Sequence, residues 1–278
     1  MNFFKPQNLP ELFEIANSLP DKYYLLAGGT DINVQIKHRM IPPSADIIYI
    51  NHLAELQGEI ETDDTIVFRA LTTFQDLLSS KLVKAHFPLL SDNLQNFASP
   101  LLQTTATIGG NIANGSPTAD IMPLLLVLET ELILTSKAGE RTIALQDFYS
   151  GYKKNALKNG EIIKAVVIKK SAQENAKTFY QKVGARKTLT IAKVSLAALI
   201  SKENSIIKEI RLAAGSLNEY ARRLPLTEDF LRGQKIDQID HTELKNIIQK
   251  EITPISDLRS DADYRLHVFY NLIEKAIS

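Results

Sequence analysis

Thr107-Ile108-Gly109-Gly110-Asn111-Ile112-Ala113-Asn114-Gly115-Ser116-Pro117-Thr118-Ala119-Asp120 is a run of small and polar residues around a glycine pair. A shorter counterpart, Ala27-Gly28-Gly29-Thr30-Asp31, stands near the N-terminus. Each pair follows an apolar stretch, which places each where a buried element breaks into a tight turn. Glycine permits positive φ and lets backbone approach a ligand with no Cβ in the way. Amides exposed in such turns form concavities that hold phosphate oxygens. Two such turns, far apart in sequence and alike in chemistry, point to a ligand long enough to need both. A dinucleotide with a central pyrophosphate fits.

Neither pair belongs to G-x-G-x-x-G or G-x-x-x-x-G-K-[ST], so the Rossmann and P-loop mechanisms lack sequence support. Taken alone, Ala27–Asp31 reads first as an ordinary turn or helix cap. The second segment is expensive to order unless its polar groups satisfy something. Asp31 and Asp120 stand out because they lie in these segments, where each could also simply cap a helix.

Composition narrows the field. The 278 residues suit one large domain or two modest ones, with 44% hydrophobic and 23% charged residues. The 32 basic and 32 acidic residues cancel, leaving no electrostatic footprint for nucleic acid. Cysteine is absent, which removes disulfides, thiolate zinc sites and Cys-ligated iron–sulfur clusters from this chain. His38, His52, His86, His241 and His267 show no metal-ligand spacing. There is no G-x-S-x-G elbow and no paired-carboxylate signal, so no side chain is expected to be catalytic and the chemistry falls to a cofactor. Met1–Pro6 lacks a basic segment followed by an apolar core, which predicts no signal peptide and a cytoplasmic protein. The apolar run at 121–128, interrupted by Pro123, is too short to span a bilayer.

Periodicity predicts a helix over Pro10–Leu19 and a strand over Tyr23–Ala27 that delivers the first glycine pair. A helix carrying Ile32, Val34, Ile36 and Met40, capped by Thr30 or Asp31, and a strand over Asp46–Ile50 follow. Beyond Leu56 come a hairpin around Thr62–Thr65, helices near Thr73–Ser79 and Pro88–Ala98, and a helix from Pro117 or Thr118 to Leu128. A hairpin around Ala138-Gly139 and a strand over Glu161–Ile168 complete this part. The polar stretch Lys169–Ala176 reads as a linker. Three strands (Lys177–Val183, Ile191–Ile200, Ile206–Ala213) and three helices (Leu226–Leu231, His241–Lys250, Asp261–Ile277) follow it, the order of an α+β domain. The basic run Lys182–Lys187 reads as a solvated face.

With these motifs in this order, the chain resembles the FAD-binding (medium) subunit of molybdenum hydroxylases, the xanthine dehydrogenase and carbon monoxide dehydrogenase flavoproteins. The resemblance covers nearly the whole chain. It rests on Leu26–Asp31, Thr107–Ile112 with Ser116-Pro117 and Asp120, and Phe148–Leu157 with Glu161-Ile162-Ile163. It continues through Val183-Gly184-Ala185-Arg186-Lys187, Ile191–Val194, Asp257-Leu258-Arg259 and Asp263-Tyr264-Arg265. The resemblance implies an α+β flavoprotein of the vanillyl-alcohol-oxidase type. Its FAD-binding domain would span 1–170, with a small lobe at about 1–55 and a larger lobe at about 56–170. A C-terminal domain of three antiparallel strands and helices would span 177–278.

By motif position, Leu26, Ala27, Gly28, Gly29, Thr30, Asp31, Ile32 and Asn33 would wrap the FAD diphosphate. Phe97, Thr107, Ile108, Gly109, Gly110, Asn111 and Ser116 would form a second wall, with Asp120 near the ribityl or ribose hydroxyls. Ile163 and Lys182 match positions that contact the flavin region. One departure stands out: Tyr152-Lys153-Lys154-Asn155 replaces the family's frequent Tyr-Arg-Lys-Thr. Lysine keeps the charge but not the bidentate fork, so contacts to a partner or to NAD would differ. The resemblance implies partners as well: a large molybdenum-cofactor subunit, a small iron–sulfur subunit, and NAD⁺ or another electron acceptor. A stand-alone flavin oxidoreductase and a non-redox nucleotide-binding or scaffolding protein are the rival readings.

Overall fold

The computed structural model describes residues 1–19, 23–186 and 189–278. It opens with β1 (Asn2–Phe4), α1 (Leu9–Ser18), β2 (Tyr23–Leu26), α2 (Ile32–Lys37) and β3 (Asp46–Tyr49). The strands form a parallel sheet in the order β1-β3-β2. α1 starts where the Asn8 side chain accepts the Glu11 amide, with a proline in its first turn. Its Leu12, Phe13 and Ala16 pack with Ile48 and Ile50 of the β3 segment. β1 is too short to register as a period in the sequence. The expected helix after the first glycine pair is present, but it ends before Met40 and none of its residues is buried.

The second lobe contains β4 (Glu59–Glu61), β5 (Thr65–Arg69), α3 (Phe74–Ser79), α4 (Lys81–His86), α5 (Pro88–Leu94) and α6 (Pro100–Gln103). It continues with α7 (Ile108–Asn114), α8 (Ile121–Val127), β6 (Glu131–Ser136), β7 (Gly139–Ala144), β8 (Tyr149–Gly151), β9 (Lys154–Asn155) and β10 (Ile162–Lys169). Five strands pair antiparallel in the order β4-β5-β10-β6-β7, and β8 and β9 form a separate small hairpin. Both hairpin turns predicted from sequence are found here. α4 and α6 are helices of six and four residues, each begun by a serine side chain accepting an amide, and neither is long enough to show a helical period. α5 stops at Leu94, short of the expected Ala98. α8 starts at Ile121 rather than at Pro117 or Thr118, because residues 116–119 form a hydrogen-bonded turn, Ala119 N–H to Ser116 O. Every residue of α8 is buried, the mark of a helix covered on all sides.

The remainder is β11 (Lys177–Val183), β12 (Val194–Glu203), β13 (Ile206–Gly215), β14 (Arg222–Arg223), α9 (Pro225–Leu231), α10 (His241–Glu251) and α11 (Ala262–Ile277). The expected three-stranded antiparallel sheet gains a fourth strand, the two-residue β14, in the order β11-β12-β13-β14. β12 begins at Val194, later than the expected Ile191. Its residues alternate between two cores. Leu196, Ala198 and Ile200 join Phe269, Leu272 and Ile273 of α11, whereas Ala197 and Leu199 join the core that contains α8. The sheet is therefore a wall shared by both halves of the chain. Contact there is close: a Cβ on Gly215 would lie 2.9 Å from Pro123 Cγ of α8. The stretch expected to be a linker is packed rather than extended. Lys170–Gln173 form a 3-10 turn with Ala172 buried, and Gln173 Oε1 accepts the Leu89 amide at 3.3 Å.

Candidate functional site

The two glycine segments, about eighty residues apart, meet. A Cβ on Gly28 would lie 1.7 Å from the Thr105 carbonyl oxygen, so the first loop rests directly on the backbone leading into the second segment. Gly29 has φ +73°, a left-handed conformation that favours glycine. Leu26 closes β2, its carbonyl accepting the Ile50 amide at 3.0 Å, and Ala27 carries the chain into the loop.

The glycine pairs differ in how their amides are used. The amides of Gly28, Gly29, Thr30, Asp31 and Ile32 donate to no group among the described residues. The first loop thus presents a run of unspent donors, the arrangement that holds phosphate oxygens. In the second segment the amides are spent. Ile108 N–H donates to Thr72 O at 2.9 Å, Gly109 N–H to Ala70 O at 2.9 Å, and Asn111 N–H to Thr107 O at 2.9 Å. Gly110 N–H donates to the Thr107 hydroxyl at 3.1 Å. The expectation of a tight turn fails here: Gly109 and Gly110 form the first turn of α7, capped by Thr107. At Gly109 a Cβ would lie 2.6 Å from Ala70 Cβ, so packing against Ala70 requires glycine there. At Gly110 the added Cβ would meet only the Thr107 hydroxyl, at 2.8 Å, leaving that side of α7 otherwise open among the described residues.

The second segment offers side chains instead. Asn111 Oδ1 and Asp120 Oδ1 are both buried without a hydrogen-bond partner among the described residues. A buried acceptor left unpaired costs about 1–3 kcal/mol, so each of the two calls for a donor. Asp31 and Asp120 both sit directly before helices, yet neither carboxylate caps. Asp31 accepts from the Gln35 side chain, and Asp120 Oδ2 accepts from Lys182 Nζ at 2.6 Å. The alternative reading of both as plain caps is thereby removed. Ser116 Oγ lies 3.2 Å from the Thr118 hydroxyl within the turn before α8.

Lys182 is not on a solvated face. Its side chain is 9% exposed and that of Asp120 17%, so the ion pair is shielded from water. Burial pushes the Asp120 carboxyl above its ordinary value, with the Lys182 ammonium acting in the opposite direction. Lys182 also donates to Thr190 O at 3.3 Å. Phe97 is buried and meets the edge of the Tyr180 ring, with centroids 6.0 Å apart at 65°. Tyr180 OH donates to the Asp120 carbonyl at 3.3 Å. Tyr180 was absent from the sequence-derived set. The period-2 rule could have found it, because Tyr180 and Lys182 lie two apart on β11 and share a face.

Ile163 lies on β10 opposite Leu134, just before a register shift, and its side chain joins the main core. Its neighbour links β10 to the second segment by backbone: Lys164 O accepts the Ala70 amide, and Ala70 O the Gly109 amide, both at 2.9 Å. Ile32 and Asn33 open α2, with Asn33 Nδ2 packed against Gly29. Lys187, the last residue of the motif begun by Val183, falls outside the described residues. A surface cavity of about 820 Å³ lined by Asp64, His86, Lys170 and Glu174 contains none of the residues that the resemblance assigns to FAD. Among the described residues no helix is long and apolar enough to cross a membrane.

Known proteins resemble this chain in sequence and fold. Residues 1–170 match the family described as the FAD binding domain in molybdopterin dehydrogenase. Residues 179–278 match the CO dehydrogenase flavoprotein C-terminal domain. The carbon monoxide dehydrogenase medium chain of Hydrogenophaga pseudoflava is 28% identical over 276 residues, covering 99% of this chain and 95% of that one. The xanthine dehydrogenase FAD-binding subunit of Escherichia coli O157:H7 is 28% identical over 255 residues, 91% of this chain and 87% of that one. A solved carbon monoxide dehydrogenase from Hydrogenophaga pseudoflava, lacking the Mo-pyranopterin moiety of its cofactor, superimposes with a TM-score of 0.92. It is 27% identical and covers 100% of this chain and 96% of that chain.

Proposed function

The chain belongs to the molybdopterin dehydrogenase FAD-binding family, and from that premise we propose that it is the flavin-bearing electron-transfer subunit of a multi-subunit molybdenum hydroxylase. In this reading it takes electrons from iron–sulfur centres in a small partner subunit, themselves supplied by a molybdenum cofactor in a large one. It delivers them to NAD⁺ or another acceptor. FAD, when bound, supplies the capacity to move one or two electrons at a time.

The residues present fit that cofactor. The unspent amides of Gly28–Ile32 suit a diphosphate, a group that needs several donors at close range. The orphaned acceptors Asn111 Oδ1 and Asp120 Oδ1 suit sugar or ribityl hydroxyls, which donate. Phe97 and Tyr180 pack against each other, and the Tyr180 hydroxyl donates to the Asp120 carbonyl. Lys182 holds Asp120 through one carboxylate oxygen and leaves the other for a ligand. No acid or base side chain is required for electron transfer itself.

What carries the reading is that the chain matches, over almost its entire length, proteins named as medium chains and subunits. Copurification tests it. Expressed from its own operon, the chain should isolate with polypeptides holding molybdenum cofactor and iron–sulfur clusters, and substrate should bleach its flavin only in that assembly. A lone, fully active flavoprotein oxidising a small substrate would sink the proposal.

A further inference from the structure

We propose that Tyr180 is a positioning residue for the flavin, acting through Asp120 and Phe97 rather than by touching the cofactor; this rests on the FAD reading above. Asp120 must present one carboxylate oxygen to a ligand, yet its own helix does nothing to fix it. It precedes α8 without a capping bond from its side chain. Two residues of β11 fix it instead. Lys182 Nζ binds Oδ2 at 2.6 Å, setting the carboxylate's rotation, and Tyr180 OH binds the main-chain carbonyl at 3.3 Å, setting where the residue stands. With both in place, Oδ1 is the oxygen left buried and unpaired.

Tyr180 does a second thing that Lys182 cannot. Its ring edge meets Phe97, on the segment between α5 and α6, 6.0 Å between centroids and 65° between planes. Phe97 and Asp120 are 23 residues apart on different elements, and a β11 side chain contacts both. The hydroxyl remains a donor throughout the working range, because burial and the nearby Asp120 carboxylate both oppose its ionisation. A tyrosine in this place therefore ties together two residues that the FAD reading assigns to the cofactor site. Phenylalanine would keep the ring contact and lose the hold on Asp120.

The test is a double-mutant cycle on the full chain, stripped of flavin and titrated with FAD, read by flavin fluorescence and absorbance. Tyr180→Phe is isosteric and keeps the core filled, so the chain is expected to fold, which circular dichroism checks. We expect its Kd for FAD to rise by about 3–10-fold, the worth of one neutral hydrogen bond. In an Asp120→Ala background the same substitution should change Kd by less than about twofold, because the path through Asp120 is gone. A purely structural role would give the same loss in both backgrounds, and that result overturns the proposal. So does a Tyr180→Phe Kd within twofold of the parent. Failure of the parent chain itself to bind FAD overturns the cofactor reading first and this inference with it.

Discussion

Gly28 and Gly110 illustrate how identical residues in similar motifs serve different ends. Gly28 is fixed by backbone, since its Cβ would fall 1.7 Å from the Thr105 carbonyl. Gly28→Ala is therefore expected to part the two segments, cost at least about 1–3 kcal/mol of stability and abolish tight FAD binding. Gly110→Val would bring a Cβ against the Thr107 hydroxyl rather than backbone. It should cost the cap, about 1 kcal/mol, and leave a folded chain with weakened FAD retention. Thermal melts with FAD titration of both variants check this, and unchanged affinity in folded Gly110→Val counts against the site. Sequence pointed to all four glycines but could not distinguish these roles, because a Cβ clash with Thr105 or Ala70 exists only once distant segments have met. Asp120 adds a pH signature. Burial raises its folded pKa, so by itself it favours folding at low pH, and that contribution fades as pH rises through the raised value. Donor hydroxyls favour the charged carboxylate, so FAD affinity should increase with pH across that same interval. Asp120→Asn should flatten the profile, and an equally steep profile in that variant would exclude Asp120 as its source.

At the scale of elements, long periodic segments were legible and short ones were not. α1, α10 and α11 and the strands β11 and β13 lie within a few residues of where their patterns predicted. β1, α4, α6 and β14 escaped, because two to six residues carry too little period and are held by tertiary contacts instead. The same limit explains the second glycine pair. Two glycines in a row argue against a helix by propensity, yet the Thr107 cap and the backbone of Ala70 and Thr72 fix the first turn of α7. Ion pairs between elements were likewise invisible. Arg141 of β7 grips Glu161, just before β10, through two nitrogens at 2.7 and 2.8 Å, and Glu161 also accepts the Lys158 amide. These partners hold the Glu161 carboxyl down to about 2. Its folded pKa is depressed, so its contribution is complete above the ordinary carboxylate value and is lost as pH falls towards about 2. Urea midpoints should therefore drop more steeply in acid for the parent than for Glu161→Gln. Parallel pH curves for the two proteins would contradict that assignment.

For the whole molecule, the shared wall of β12 and β13 matters most. The stretch between the two halves is packed rather than a free linker, Ala197, Leu199 and Ala213 complete the core around α8, and Lys182 reaches across to Asp120. The chain is accordingly expected to melt in one cooperative transition, with FAD raising its midpoint. Two well-separated transitions would show that the halves are energetically independent. A fragment ending at residue 176 should expose α8 and bind FAD far more weakly than the full chain. The central claim, that the unspent amides of the first loop and the orphaned acceptors of the second segment together hold one FAD, is tested most directly by titrating the flavin-free chain with FAD and recording its visible spectrum. One equivalent bound per chain, with flavin bands that persist through gel filtration and are lost in Gly28→Ala, is the predicted result; a folded chain that shows no flavin bands after reconstitution would contradict it.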